Sequence, residues 1–455
     1  MGLSSCGFQE YVAKPIDTAA ITQKITSRHA DDSQFHQYLI NNGYSAEQLP
    51  IQQWALNDLI YCALFFNPNL DVARAQWRSA EAAKVTAAEM RLPTVGAHYA
   101  KSNNASEEIS PHAYGLSIDL PIETANKRNI RIESAQHLSE AAKLKIAQAA
   151  WQLRADVTRT LYEYQFNQQL IKLLIKEQVQ KQDIVSIYQK RINLGESSNI
   201  ELSKAKLQLQ AITTELESTR RNHLTLLSRL ANHLGLSLAQ LEKMQLSETF
   251  KADVLVGDIS ADMQSIALLN RLDIRLALER YAVAEAKLKL EIAKQYPDLT
   301  INPGYAYEFG NKIWSLGLSS LMTILTKNKL AIAEATQLRE VEAAQFETLQ
   351  ANVIAEVNIA NAKLAQARQL LDNQENLYRQ QQASTQRMQR RLQSGEIDRL
   401  ELTYAKLEEV AAEKNFTLAS YQLANSINEL ENALQAPLTN SSIKNEKIEN
   451  LYLKK

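Results

Sequence analysis

The chain reads as a mainly α protein with a small β part, built from two copies of one unit that each hold a long helical hairpin. Three observations predict this. Chain breakers are scarce, with 12 Gly and 9 Pro in 455 residues. The chain aligns with itself at an offset near 200. At equivalent places in both copies the apolar period switches from that of a helix to that of a strand.

Average usage is roughly 7% Gly and 5% Pro, so both are depleted here. Few breakers mean few turns and long elements. Ala, Leu, Gln, Glu, Lys and Arg, the better helix formers, are abundant. A net charge of −1 gives no electrostatic reason to expect nucleic acid as a partner. The two cysteines, Cys6 and Cys62, form neither a disulfide framework nor a CxxC pair. The seven histidines are scattered, with no HExxH and no paired His/Cys spacing. No phosphate-binding glycine loop, metal cluster or nucleophile motif is written, so nothing points to an enzyme or a cofactor. The longest apolar run, Leu59 to Phe66, is far too short for a transmembrane helix. Alternating β-barrel strands of about 9–11 residues escape that test.

Three self-alignments define the duplication. At an offset of 204, Asn67-Pro68-Asn69-Leu70 through Ala82 matches Arg271-Leu272-Asp273-Ile274 through Ala286, and Pro93 falls on Pro297. At 201, Leu120, Lys127 and Arg128 fall on Leu321, Asn328 and Lys329. At 200, Gln189, Arg191, Gly195, Glu196, Glu201, Leu202, Ala205, Lys206 and Leu207 each meet an identical residue, nine identities inside 19 positions. The organisation that follows is an N-terminal extension over 1–56, repeat one over 57–240 and a connector over 241–260. Repeat two covers 261–437, and 438–455 is a polar tail.

Each repeat opens with a helix, about Asp71–Arg91 and Asp273–Gln295, expected to stop just before Pro93 and Pro297. Two strands follow. Val95, Ala97 and Tyr99, then Tyr114, Leu116, Ile118 and Leu120, alternate with small or polar residues. Leu299 and Ile301, then Trp314, Leu316 and Leu318, do the same. Such a two-faced sheet is either half of a soluble sandwich or a lipid-facing barrel wall, and alternation alone does not choose. Tyr99, Tyr114, Tyr305, Tyr307 and Trp314 stand near strand ends, where an aromatic girdle would lie.

The long helices come next, about Asn126–Asn193 and Lys327–Gln393, with no Gly or Pro inside. At 1.5 Å per residue each spans roughly 100 Å, more than a compact domain needs. Ile146, Ala150, Leu153, Val157, Leu161 and Tyr164 step by four and three, as in a coiled-coil seam. Phe346, Val353, Val357, Ala360, Leu364, Ala367 and Leu371 repeat it with one gap. Gly195 and Gly395 fit the left-handed position that ends a helix. Ser198-x-x-Glu201 and Asp398-x-x-Glu401 read as capping boxes that start the return helices, about Asn199–Leu238 and Arg399–Gln435.

At this point the residues resemble those of TolC-type outer-membrane efflux proteins. The resemblance rests on Asn67-Pro68-Asn69-Leu70 before an Ala/Glu-rich helix, and on Leu120-Pro121 with Lys127-Arg128 at a strand-to-helix junction. It rests also on the tip Tyr188-Gln189-Lys190-Arg191-x-x-Leu194-Gly195-Glu196-Ser197 and its twin at Met388–Glu396. It covers about residues 54–437. It implies a homotrimeric exit duct in the outer membrane of a Gram-negative bacterium. Four strands per chain would close a shared transmembrane β-barrel, and the helices an α-barrel across the periplasm. It implies no catalysis and no cofactor, and as partners a periplasmic adaptor, an inner-membrane transporter and outer-membrane lipid. The adaptor would meet the hairpin tips at Leu194, Gly195, Glu196, Ser394, Gly395 and Glu396.

Glu201 and Glu401, with Arg191 and Arg391, are aperture candidates; the two glutamates read equally as helix caps. Lipoprotein members carry an N-terminal lipidated cysteine, and Leu3-Ser4-Ser5-Cys6 resembles such a lipobox, which makes Cys6 the expected lipidation site. No basic segment and apolar core precede it, so the start would lie inside the signal or have been trimmed there. The sequence departs from the family's pattern at Arg271-Leu272-Asp273, where a proline is usual at the second position. The competing reading is a soluble coiled-coil scaffold or a periplasmic adaptor. An adaptor would have one hairpin, and a scaffold would not need strands inserted at equivalent places in both copies.

Overall fold

The computed structural model describes residues 10–103, 110–248, 262–320 and 327–438. Cys6 and its lipobox lie outside the described residues, as does Leu321.

Before the first repeat come α1 (Thr18–Thr26) and α2 (Ser33–Asn41), each started by an aspartate, Asp17 or Asp32, whose side chain accepts backbone N–H bonds. Next is α3 (Leu56–Phe66), which contains the Leu59–Phe66 run. Every residue of that run is buried, so it is a core helix, apolar all round because it is enclosed all round. Around it pack Phe35, Tyr38, Trp54 and Leu39. Phe35 and Trp54 stack with ring centres 6.3 Å apart, and Trp54 bridges to Leu246 beyond the first repeat's helices.

Repeat one continues as α4 (Pro68–Ala87), β1 (Thr94–Lys101), β2 (His112–Ile122), α5 (Lys127–Asn193), α6 (Asn199–Leu234) and α7 (Leu238–Leu241). Repeat two runs α8 (Asp262–Asn270), α9 (Leu272–Ala293), β3 (Leu299–Glu308), β4 (Asn311–Ser320), α10 (Lys329–Gln393) and α11 (Arg399–Leu434). The order helix, strand, strand, long helix, return helix recurs in both copies, with α8 preceding α9 as α3 precedes α4, and α7 has no counterpart among the described residues. α4 begins three residues earlier than Asp71, because Asn67 caps Asn69 N and Pro68 takes the first helical position. It also ends short of Pro93, at Ala87, where Arg128 Nε donates to the Ala88 carbonyl at 2.8 Å. A side chain from another helix, rather than the proline, terminates it.

The chain passes from sheet to long helix through two consecutive left-handed residues in each copy. These are Ala125 (φ 54°) and Asn126 (φ 61°), then Lys327 (φ 49°) and Asn328 (φ 48°). Asparagine tolerates this region better than most residues, and one ends each pair. The first junction is tied by charge. Lys127, itself buried, reaches Asp298 at 2.6 Å, Arg91 reaches Asp298 at 3.0 Å, and Arg131 pairs with Glu123.

Along α5 lie first α4 and then α6, meeting end to end. Gly235 closes α6 with φ +70°, and a Cβ there would sit 2.5 Å from the Phe66 carbonyl oxygen. Arg28 Nη1 donates to the carbonyls of both Phe66 (2.8 Å) and Gly235 (3.1 Å). In repeat two, α9 and α11 meet likewise beside α10. The seam residues Ile146, Ala150, Leu153, Val157, Leu161 and Tyr164 are all buried, as are Val353, Val357, Ala360, Leu364 and Ala367.

The strands form one antiparallel sheet in the order β1-β2-β3-β4. Register places Tyr99 opposite Tyr114 and Tyr114 opposite Tyr307; Tyr305 lies opposite Leu116 and Trp314.

Candidate functional site

Two regions carry the chemistry of this fold: the hairpin tips and the sheet.

At each tip the long helix ends in the same motif. Gly195 N–H donates to Ile192 O at 2.9 Å and Glu196 N–H to Arg191 O at 2.8 Å. Gly395 N–H donates to Leu392 O at 3.1 Å and Glu396 N–H to Arg391 O at 2.9 Å. These are Schellman bonds, and the glycines take the required positive φ of 76° and 78°. No atom lies within 4 Å of where either Cβ would be, so the requirement is conformational and not one of space. Leu194 stands 73% exposed beside Gly195.

The starts of the return helices differ. Ser198 and Glu201 form the expected reciprocal box: Glu201 N–H donates to Ser198 Oγ at 3.4 Å, and Ser198 N–H to Glu201 Oε2 at 2.9 Å. Ser197 Oγ adds a 2.5 Å bond to the same carboxylate. Ser197 first, then the Ser198 N–H and hydroxyl, hold the Glu201 carboxyl below the usual carboxylate range. In the second tip only half the box forms. Asp398 Oδ1 accepts from Glu401 N–H at 2.9 Å, but among the described residues the Glu401 carboxylate has no hydrogen-bond partner. The physical reason is that Asp398 already carries a negative charge at the cap, which repels the second carboxylate.

The tips of one chain touch each other. Arg191 Nη2 lies 2.6 Å from Asp398 Oδ2, Tyr188 and Tyr404 hydroxyls are 3.3 Å apart, and Arg399 lies 3.3 Å from Asp183. Ile184, Ala205 and Leu400 form a small buried core behind them. Burial, then the bond to Tyr188, pushes the Tyr404 hydroxyl up to about 12. A cavity of about 370 Å³ opens between the tips, lined by Asp183, Ser186, Ile187, Lys190, Arg191, Leu194 and Arg399. Arg191 and Arg391 are therefore not equivalent: Arg391 turns back to its own Glu396 at 3.2 Å. Asp398, standing where the first repeat has Ser198, supplies the carboxylate that Arg191 meets. That change of charge is the signal from which the cross-tip bond could have been read.

In the sheet, one face is continuous and apolar: Val95, Tyr99, Tyr114, Leu116, Ile118, Leu120, Ile301, Tyr305, Trp314, Leu316 and Leu318. It is bare, with Trp314 82% and Leu316 78% exposed. The opposite face carries Gly96, Gly115, Ser117, Asp119, Asn302, Gly304, Ser315 and Gly317. The Tyr99–Tyr114–Tyr307 row lies eight residues along β2 from Ile122, roughly 27 Å. Tilted by about 35–45° as barrel strands are, that length projects to about 19–22 Å along the axis, close to the apolar band of an outer-membrane barrel, about 25 Å tall between aromatic girdles. β1 and β4 are both open edges.

No described helix is long and apolar enough to cross a membrane, and among the described residues no cluster of His, Cys, Asp and Glu is placed to hold a metal ion.

Residues 59–236 match the family described as outer membrane efflux protein. Among solved structures, the outer-membrane channel OprN superposes with a TM-score of 0.68 at 19% identity, covering 94% of this chain and 98% of that one. The CmeC outer membrane channel of Campylobacter jejuni gives 0.69 at 17% identity, covering 88% and 90%. The outer membrane protein VceC of Vibrio cholerae gives 0.68 at 16% identity, covering 84% and 97%. No curated protein matches the chain. The matched family and these neighbours are outer-membrane channel proteins and not enzymes, and the fold is the one that TolC-type channels share.

Proposed function

We propose that the chain is one protomer of a homotrimeric outer-membrane exit duct that conducts substrates passively. The observation that carries this is the four-stranded sheet with one bare apolar face and two open edges, continued by helices of roughly 100 Å. Four strands cannot close a barrel, since the smallest have about eight. Three copies supply twelve. Lipid then covers the apolar face, and the Gly- and Ser-rich face lines a wide lumen. A soluble scaffold would have to bury Trp314, Leu316 and Leu318 within its own chain.

At the far end, Leu194, Gly195, Glu196, Ser394, Gly395 and Glu396 form the seats for a periplasmic adaptor, which couples the duct to an inner-membrane pump. The exposure of the tips and the cavity between them support this. Glu201, Glu401, Arg191 and Arg391 ring the aperture, with Glu401 the least engaged carboxylate. Cys6 carries a lipid that tethers the N-terminus to the membrane.

The test is fractionation followed by light scattering of the detergent-extracted particle. About three chains per particle, found only in the outer-membrane fraction, supports the duct. A water-soluble monomer or dimer removes it.

A further inference from the structure

The charges of the sheet are sorted by face. Its four strands hold two lysines and two carboxylates: Lys101, Lys312, Asp119 and Glu308. Register puts Lys101 opposite His112 and Lys312 opposite Tyr307, which places both lysines on the apolar face. Asp119 opposes Thr94, and Glu308 opposes Ala113 and Asn311, which places both carboxylates on the other face. Both lysines lie at the end of the sheet away from the helices. Lys312 shares the row of Tyr99, Tyr114 and Tyr307, and Lys101 lies one row further out. Both are exposed, and neither has an ion-pair partner among the described residues.

From this arrangement we propose that the outer rim of the barrel binds phosphate groups of membrane lipid headgroups through Lys101 and Lys312. The inference rests on the barrel reading above. An unpaired lysine on a lipid-facing surface is costly at the bilayer midplane and cheap at headgroup depth. Both lysines lie at or beyond the tyrosine row, at headgroup depth, where the ammonium meets the layer of lipid phosphates. The carboxylates that would repel a phosphate, Asp119 and Glu308, face away. The two lysines also sit on the two open edges, β4 and β1. Closing the barrel lays β4 of one copy against β1 of the next, antiparallel, with their outer ends together. Lys312 of one copy and Lys101 of its neighbour then share one rim across each seam, and the site is complete only in the assembly.

The experiment purifies the full-length protein from native membranes into detergent, confirms about three chains per particle, and measures phosphate-bearing lipid retained per particle by native mass spectrometry. The double variant Lys101→Gln/Lys312→Gln should hold this lipid about thirtyfold more weakly, at roughly fivefold per lysine. Unchanged retention in the lysine variant overturns the proposal. Displacement of the lipid by millimolar inorganic phosphate also overturns it, since the site would then be one for a free anion. A water-soluble monomer overturns the barrel reading and this one with it, whereas a trimer with unchanged lipid overturns this one alone.

Discussion

Arg154 and Glu431 form a 2.8 Å ion pair between α5 of the first repeat and α11 of the second, with side chains only 10% and 5% exposed. The guanidinium also lies 4.9 Å over the Trp151 ring, and Glu431 accepts the Leu438 N–H at 2.9 Å. The pair therefore joins the two repeats where water is largely absent. Removing one partner leaves the other charge enclosed, a loss of about 3–5 kcal/mol. Arg154→Ala and Glu431→Ala should each lower the urea midpoint of the detergent-solubilised protein strongly. Arg154→Met with Glu431→Leu should recover most of that loss. Equal midpoints for the single variants and the parent would mean the pair contributes nothing.

Three of the five positive-φ glycines, Gly195, Gly235 and Gly395, separate strain from space. Gly195→Ala and Gly395→Ala meet no atom, so each should cost only the backbone penalty of about 1–2 kcal/mol. Gly235→Ala adds a collision with the Phe66 carbonyl, which is backbone and cannot swing aside. It should be clearly the most destabilising of the three in thermal unfolding.

Acid should loosen the tips. The Glu401 N–H first, and then Arg191, hold the Asp398 carboxyl below its ordinary value. A depressed carboxyl contributes stability that is present above its unfolded value and is lost as pH falls through the folded one. The Arg191–Asp398 link should thus be intact at neutral pH and fail only below the ordinary aspartate range. Electron-paramagnetic distances between spin labels on the two tips, followed from pH 7 down to pH 2, should widen in that acid range alone. In Asp398→Asn, whose amide still caps the helix, the tips should be equally wide at every pH.

The two faces of β4 should respond oppositely to charge. Leu316→Arg places a guanidinium on the apolar face, at a cost of about 2–4 kcal/mol at the bilayer midplane. Ser319→Arg places it on the lumen side and should leave membrane insertion unchanged. Heat-modifiable mobility on gels reads assembly in each variant, and equal behaviour of the two would contradict the facing assigned here.

Much of this fold was legible because its signals are local. The absence of Gly and Pro marked out α5 and α10 to within two residues at each end. Gly195 and Gly395 announced tips that the backbone then formed with the same bonds. Helix ends set by distant side chains were not legible, as at Ala87, where Arg128 rather than Pro93 stops the helix. Nor was the role of Leu59–Phe66, since an apolar run does not say what encloses it. The link from Arg191 to Asp398 spans two hairpins, and no periodicity reports on it. The duplication also concealed a substitution of means. Asn67 and Arg271 align at the start of each repeat, and each donates to the end of its return helix, at His233 O (2.8 Å) and Ala433 O (2.6 Å). The contact is shared by the repeats although the residue is not.

The half-formed cap at Asp398 has a geometric corollary. In the proposed trimer, three chains would present six tips in a circle, and by backbone alone these would be interchangeable. By charge they are of two kinds, one carrying a satisfied glutamate and the other a bridged aspartate with a free glutamate. The circle therefore alternates. A ring-shaped partner that touched all six with identical contacts would fit only every second one well, and a partner that pairs its own subunits would find each pair already marked out for it.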